Sequence, residues 1–254
     1  MDCLISGSDQ VWNVESYRGF DPAFFLDFEW QPGVTKASYA ATFGGATDFG
    51  PHRQRVGELL QGLDFISVRD AHSESAVREL ASRAAKRVVD PSFLVDFGPI
   101  TPPPIRREPY IVVYCMERTP ELLEVVRAVR EKLRLPVVSI RTTLEGAQSY
   151  GSAGPREWLS LMKYASFIVT NSFHGLCFAI INRKNFLVVP HRKGQMRLDD
   201  LLEWLNLNNR VVADESAVQA LETGDLEVDY SATEGLLAVA IRDSLEFLRE
   251  VLRG

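Results

Sequence analysis

The chain alternates short apolar runs with longer amphipathic stretches over most of its length. Apolar runs of about four to eight residues between turn-forming residues are typical of buried strands. Stretches with apolar residues three or four positions apart are typical of helices that bury one face. The apolar runs predict strands at 3–6, 36–43, 65–68, 87–89, 110–115, 137–141, 167–170 and 186–189.

Three helices are marked by capping residues or by a long apolar stripe. Thr119 is placed to cap a helix with Pro120 as its first residue, and Pro155 begins another. Strands that alternate with such helices indicate an α/β fold with parallel sheets. Near the carboxyl end, a further helix is predicted from one stripe: Leu237, Ile241, Leu245, Leu248 and Leu252.

A proline-rich stretch divides this pattern. Residues 97–109 read FGPITPPPIRREP, and consecutive prolines fit neither a helix interior nor a central strand. We predict an N-terminal Rossmann-like domain over 1–98, a linker over 99–109 and a C-terminal Rossmann-like domain over 110–254. Because the sequence opens directly on a strand, we expect the N-terminal domain to lack its first strand and helix.

Composition narrows the function classes. The 254 residues are 46% hydrophobic and 24% charged, which fits a globular protein with a full core. The net charge of -6 argues against nucleic acid as the partner, because phosphate binding needs a basic face. No apolar run approaches the roughly 18 residues of a membrane span, and the amino end is no signal peptide. The three cysteines are widely spaced, and no metal-ligand spacing occurs. We expect a cytoplasmic protein without an integral membrane segment, metal or dinucleotide cofactor.

A histidine stands where a predicted strand passes into a predicted helix. Residues 167–175 read FIVTNSFHG, with His174 in the helix that Ser172 is placed to cap. Ligands of parallel sheets bind at the carboxyl ends of the strands, and helix N-termini favour anions. Lys193 and Arg197 follow the next strand and add positive charge at this edge. The pattern indicates a site for a small, multiply charged anion; a packing histidine and a solvated basic loop remain the alternatives.

A second polar stretch, GSDQVWN, follows the first predicted strand. Ser8, Asp9 and Gln10 carry groups of the kind that bind sugar hydroxyls, and Trp12 offers a face for a sugar ring. Asp9 is also a candidate general base for an acceptor hydroxyl. The alternative is that Asp9 caps a turn and Trp12 belongs to the core.

Several segments occur in an order found in a known family. The chain resembles polysaccharide pyruvyl transferases up to about residue 207. The combination of GSDQxWN, VRD, DPxxL and SFHG carries the resemblance, in the segments LISGSDQVWN (4–13), KASYAATFGG (36–45), ISVRDAHSESAVREL (66–80), VVDPSFLV (88–95) and ASFIVTNSFHGLCFAIINRKNF (165–186).

The resemblance implies a fold of two Rossmann-like domains, of the GT-B type, and a transferase activity in polysaccharide (exopolysaccharide) biosynthesis. Such enzymes move a pyruvyl group from phosphoenolpyruvate, a substrate rather than a cofactor, onto two hydroxyls of a glycan or lipid-linked sugar. A cyclic ketal forms and phosphate is released. The N-terminal domain would bind the acceptor and the C-terminal domain phosphoenolpyruvate.

The resemblance also implies that Arg69, His174 and Lys193 hold phosphoenolpyruvate. The pattern of residues around His174 adds Ser172 and Arg197 as further candidates for binding this donor. His174 would deliver a proton to the methylene carbon of the donor. For Arg69 the alternative is a surface ion pair with the neighbouring Asp70, which contributes little.

Two other functions stay open. A glycosyltransferase that uses a nucleotide sugar would share the architecture and the anion site. An inactive, shortened family member would act as a binding module only. Peripheral association with a membrane stays open as well.

Overall fold

The computed structural model describes residues 3–191 and 195–254, which form two compact units. Unit 1 comprises the described residues up to Leu94 together with Gly235–Gly254, and unit 2 comprises those of Val95–Glu234. Each unit contains one parallel sheet with helices packed against it. The predicted α/β class with two parallel sheets is therefore confirmed.

The sheet of unit 1 has four strands in the order β1-β2-β3-β4, and every neighbouring pair is parallel. Helices α1 (Arg53–Gln61) and α2 (Ala71–Ala81) contribute Leu60 and Val77 to a core that also contains Val68 of the sheet. The strands are β1 Cys3–Ser6, β2 Thr35–Ala41, β3 Phe65–Val68 and β4 Lys86–Arg87.

The long C-terminal helix α8 (Ser231–Arg253) belongs to unit 1 from Gly235 onward. Phe247 packs in a core cluster with Tyr39 of β2, and the Ser244 hydroxyl oxygen accepts a hydrogen bond from the Val89 amide at 3.0 Å. This differs from the predicted division, which put all of 110–254 in one domain. The buried face of this helix also differs from the predicted stripe. Within unit 1, the buried residues of α8 are Ala240, Ser244, Phe247 and Val251.

The sheet of unit 2 has five parallel strands in the order β7-β6-β5-β8-β9. The chain steps outward from β5 to β7 and then returns to the other side of β5, so the strand order reverses between β5 and β8. In open α/β sheets the crevice at such a reversal binds ligands. The strands are β5 Ile111–Tyr114, β6 Val137–Ile140, β7 Ala147–Tyr150, β8 Phe167–Thr170 and β9 Asn185–Val188.

Two helices of unit 2 begin where the sequence predicts. The Thr119 hydroxyl oxygen accepts a hydrogen bond from the Leu122 amide at 3.2 Å, so the predicted cap with Pro120 after it is confirmed. Pro155 also begins a helix, as predicted. The helices are α3 Pro120–Leu133, α4 Pro155–Tyr164, α5 Phe173–Ile181, α6 Gln195–Trp204 and α7 Glu215–Ala220.

The proline-rich segment packs against unit 2 instead of standing apart as a connector. The Ser160 hydroxyl donates to the Pro103 carbonyl at 3.0 Å, and Arg156 Nε donates to the Ile100 carbonyl at 3.2 Å. The segment has no N–H at its prolines, but its carbonyls accept hydrogen bonds from side chains on α4.

Of the helices in the described residues, none has the length and apolar character to cross a membrane.

Candidate functional site

His174 lies in the first turn of α5, directly beyond the carboxyl end of β8. Its side chain is exposed, whereas Thr170, Asn171 and Ser172 before it are buried. The predicted passage from strand to helix is thus present at this point of unit 2. His174 is the exposed residue in a segment that is otherwise built into the core.

Two contacts fix the start of α5. The Ser172 hydroxyl oxygen accepts a hydrogen bond from the Gly175 amide at 3.3 Å, so Ser172 is the helix cap. Gly175 packs so closely on β8 that a Cβ atom there would overlap the Thr170 side chain. Ser172 is buried and acts as the cap, and its predicted role beside phosphoenolpyruvate stays a prediction.

Asn171 is a structural position of the site that the sequence analysis did not single out. Its Nδ2 donates to the Glu117 carbonyl at 2.7 Å, and its Oδ1 accepts from the Met116 amide at 2.8 Å. These bonds join the end of β8 to the loop after β5, across the point where the strand order reverses. The sequence signal for this role was a side-chain amide directly after a predicted buried strand, because a buried amide requires hydrogen-bond partners nearby.

A cavity of about 410 Å³ lies beside His174, entirely within unit 2. The Trp158 ring forms one wall, with its centroid 5.3 Å from that of Tyr114 and 4.6 Å from that of Phe178. Arg141, at the end of β6, also lines it and is exposed. We call this cavity the His174 pocket; its principal lining residues are Tyr114, Ile140, Arg141, Trp158, His174 and Phe178.

Of the predicted cations downstream of His174, the structure describes Arg197. Lys193 lies outside the described residues. Arg197 is partly buried on α6 and is not among the residues that line the His174 pocket. Arg141, which the sequence did not single out, is the cation that the described structure places in this pocket. It could have been noticed as a charged residue at the end of a predicted strand.

A second polar cluster surrounds Arg69 in unit 1. The Arg69 Nη1 atom donates to Asp90 Oδ2 at 2.7 Å and to the Ser8 hydroxyl at 3.3 Å, and Nη2 lies 3.5 Å from Asp9 Oδ1. We call Ser8, Asp9, Arg69 and Asp90 the Arg69 cluster. It brings together three predicted site residues, which follow the carboxyl ends of β1 and β3.

The Arg69 cluster contains a buried ion pair, because Arg69 and Asp90 are each only 4% exposed. Burial alone would raise the pKa of Asp90, but the charge of Arg69 and hydrogen bonds from Ser92 lower it below the ordinary 3.8. Asp90 is therefore ionised at neutral pH. The alternative pairing of Arg69 with Asp70 is wrong, since Asp70 caps α2 instead.

Gln10 and Trp12 are integrated into unit 1. Gln10 Oε1 accepts a hydrogen bond from Asn13 Nδ2 at 2.9 Å. Trp12 is 1% exposed, and its Nε1 donates to the Phe24 carbonyl at 3.0 Å. The predicted sugar-binding face of Trp12 is therefore wrong, because its ring lies in the core of unit 1.

The remaining candidates for metal binding or nucleophilic chemistry are clusters of ligating side chains and the cysteine thiols. Within residues 3–191 and 195–254, no group of three or more His, Cys, Asp or Glu side chains could hold a metal ion. Cys115 is buried, and this burial raises the pKa of its thiol above the ordinary 9.0 despite nearby cations. A thiol that stays protonated at neutral pH is a poor nucleophile.

The fold is similar to that of solved sugar-nucleotide enzymes. A Listeria monocytogenes protein assigned as a UDP-N-acetylglucosamine 2-epimerase matches with a TM-score of 0.60 at 11% identity, over 93% of this chain and 68% of that one. The Staphylococcus aureus MnaA–UDP co-structure gives 0.53 at 14% identity, over 97% and 75%. A UDP-GlcNAc 2-epimerase from Neisseria meningitidis, bound to UDP-GlcNAc, gives 0.50 at 11%, over 99% and 75%. This likeness confirms the GT-B-like fold class and concerns the fold alone.

Sequence comparison identifies the family more directly. No curated protein matches the chain significantly. The family model of polysaccharide pyruvyl transferases, however, matches residues 1–193, which include the Arg69 cluster, the SFHG segment and Lys193. That match covers well over half of the 254 residues. The chain belongs to the polysaccharide pyruvyl transferase family.

Proposed function

We propose that this protein transfers a pyruvyl group from phosphoenolpyruvate to two hydroxyls of a polysaccharide or of its lipid-linked precursor. The observation that carries the proposal is the exposed His174 beside the His174 pocket, in a chain of the pyruvyl transferase family. The pocket lies next to the reversal of strand order, where open α/β sheets bind ligands.

The chemistry needs one proton donor at the donor's methylene carbon. His174 delivers this proton to the CH₂ carbon, which makes the central carbon electrophilic. The first sugar hydroxyl then attacks that carbon and gives up its proton to a base. The bond between the central carbon and the phosphate oxygen breaks, and phosphate leaves with the proton that the base took up. The second hydroxyl then closes the ketal ring and gives its proton to the imidazole of His174, which is thereby restored. Imidazole suits the first step because it exchanges protons readily near neutral pH.

The Arg69 cluster supplies the groups proposed for the acceptor. Asp9 is the most accessible carboxylate of this cluster, with a side chain 57% exposed, and it is the proposed base. Its Oδ1 also accepts a hydrogen bond from the Gln10 amide at 2.9 Å, which orients the carboxylate. Because Arg69 is buried and paired with Asp90, it acts in this proposal by positioning Ser8 and Asp9.

The proposal is tested by phosphate release from phosphoenolpyruvate in the presence of candidate acceptors. His174→Asn should lower the rate by about 10²–10⁴-fold, the usual contribution of a general acid. His52→Asn is the matched control, because His52 lies in unit 1 and stacks on Phe20. Its rate should equal that of the wild type.

Two outcomes would contradict the proposal. An unchanged rate in His174→Asn would remove His174 from the chemistry. Stabilisation of the wild type by a nucleoside diphosphate, with none by phosphoenolpyruvate, would favour a glycosyltransferase instead, since a ligand stabilises the folded protein that binds it.

A further inference from the structure

Arg141 is an arginine in an unfavourable backbone conformation. It directly follows β6 and has a φ of 74°, in the left-handed region that residues with a Cβ atom rarely adopt. Such conformations persist where the surrounding structure enforces them, and they are frequent at ligand sites. Glycine would adopt this φ without strain, so the sequence carries a side chain here at a cost in stability.

The guanidinium of Arg141 is available for a ligand. The residue is exposed and lines the His174 pocket, and its Nη1 lies 3.8 Å from the Met116 sulfur. Among the described residues, no carboxylate lies within ion-pair distance of it. Arg69 differs in both respects, because it is buried and bonded to Asp90.

Strand register places Arg141 and His174 on opposite sides of one strand end. Tyr114, the last residue of β5, pairs with Ile140 of β6 on one side and with Thr170 of β8 on the other. Adjacent strands are about 4.8 Å apart, so the ends of β6 and β8 are about 10 Å apart. Arg141 directly follows Ile140, and His174 follows Thr170 by one short turn. A small dianion above Tyr114 would therefore lie between a guanidinium and an imidazole.

The walls of the pocket strengthen such an interaction. Trp158 and Phe178 form an aromatic wall beside Tyr114, and Ile140 adds aliphatic surface. Apolar walls exclude water and lower the local dielectric, which increases the attraction between an arginine and an anion. Guanidinium also matches carboxylate and phosphate oxygens with paired hydrogen bonds.

We infer that Arg141 binds the phosphate or carboxylate of phosphoenolpyruvate in the His174 pocket, opposite His174. This inference rests on the proposed function and adds a donor ligand from β6. It gives unit 2 a guanidinium for the donor, whereas the resemblance assigns that role to Arg69 in unit 1.

The test is calorimetric titration of the full chain with phosphoenolpyruvate. Arg141→Gln should weaken binding by about 10- to 100-fold, the range expected for a hydrogen-bonded charge. Arg141→Gly should weaken binding equally while its melting temperature stays at or above the wild-type value, because glycine relieves the strain. Arg134→Gln is the matched control, since Arg134 is also exposed, has a φ of 53° and does not line the pocket.

The outcomes separate this inference from the proposed function. If the wild type binds phosphoenolpyruvate and Arg141→Gln binds it with the same affinity, the role of Arg141 alone would be overturned. A large fall in the melting temperature of Arg141→Gly would also overturn it, because the side chain would then be structural. Absence of wild-type binding would overturn the donor assignment and this inference together. Weaker phosphoenolpyruvate binding in Arg141→Gln and in Arg141→Gly, with wild-type affinity in Arg134→Gln, would support the inferred role of Arg141.

Discussion

The buried pair of Arg69 and Asp90 shows what single side chains contribute to unit 1. Their side chains are only 2% and 3% exposed, with Nη1 and Oδ2 2.7 Å apart. Asp90→Asn would remove the buried carboxylate that lies nearest to the Arg69 guanidinium, and the loss of one partner of a buried ion pair typically costs about 3–5 kcal/mol. We expect that loss in urea unfolding. Glu79→Gln is the control, because its pair with Arg53 is exposed and should contribute about 0–1 kcal/mol.

The ion pair of Arg69 and Asp90 also predicts how the free energy of unfolding depends on pH. Because the pKa of Asp90 is lowered in the folded protein, its stabilisation is present above the unfolded value of about 3.8. It is lost as the pH falls through the lower folded pKa. The difference in unfolding free energy between the wild type and Asp90→Asn should therefore narrow below about pH 3.8. A difference that stays constant with pH would show that Asp90 is not charged in the fold.

Single residues also mark the limit of what sequence can predict. The polar groups of GSDQVWN were expected at one strand end, and Ser8 and Asp9 do lie together there. Trp12 was expected at the same place but fills the core. Side-chain type does not distinguish a stacking face from a core ring, because both use the same apolar surface.

At the level of elements, strands with an apolar run were predictable and a polar strand was not. The bounds of β1, β3 and β8 agree with the apolar runs residue for residue. Strand β7 was missed because it is an edge strand whose four residues AQSY are exposed or half-buried. An edge strand is held by backbone hydrogen bonds to one neighbour and needs no apolar run.

The start of α5 gives a prediction in which packing opposes helix propensity. Alanine forms helices better than glycine by about 1 kcal/mol, so Gly175→Ala would stabilise an isolated helix. In unit 2 the added methyl would overlap Thr170, and such overpacking costs about 1–3 kcal/mol. We expect net destabilisation in thermal unfolding, together with lower phosphate release because His174 would shift.

Gly235 is the matched control for that change. It lies in α8, and a Cβ atom there would meet nothing within 4 Å. Gly235→Ala should therefore stabilise by up to about 1 kcal/mol. If Gly175→Ala were stabilising too, the close approach of α5 to β8 would be refuted.

For the whole molecule, the path of the chain between the two units was the least predictable feature. Local patterns identified α8 as a helix but not the sheet that it covers. Its residues from Gly235 pack on unit 1, although they follow unit 2 in sequence. Periodicity shows that a helix has an apolar face and carries no information about its partner. Long-range contacts, such as the hydrogen bond between Val89 and Ser244, determine that this helix packs on unit 1.

This assignment of α8 can be tested by local unfolding. Phe247 is buried, with its ring centroid 6.5 Å from that of Tyr39 and 6.4 Å from that of Phe65. Phe247→Ala should cost about 3–5 kcal/mol, the usual loss for a large core aromatic. Leu252→Ala on the same helix should change stability by less than about 0.5 kcal/mol, because Leu252 is 69% exposed.

Amide hydrogen exchange then locates the loss. In Phe247→Ala, protection should fall in strands β2 and β3, which carry the partners of Phe247. Protection in β5 and β8 should remain at the wild-type level, because compact units open separately when their cores are separate. If β5 and β8 lost protection while β2 and β3 kept it, α8 would stabilise unit 2, as a domain over residues 110–254 requires.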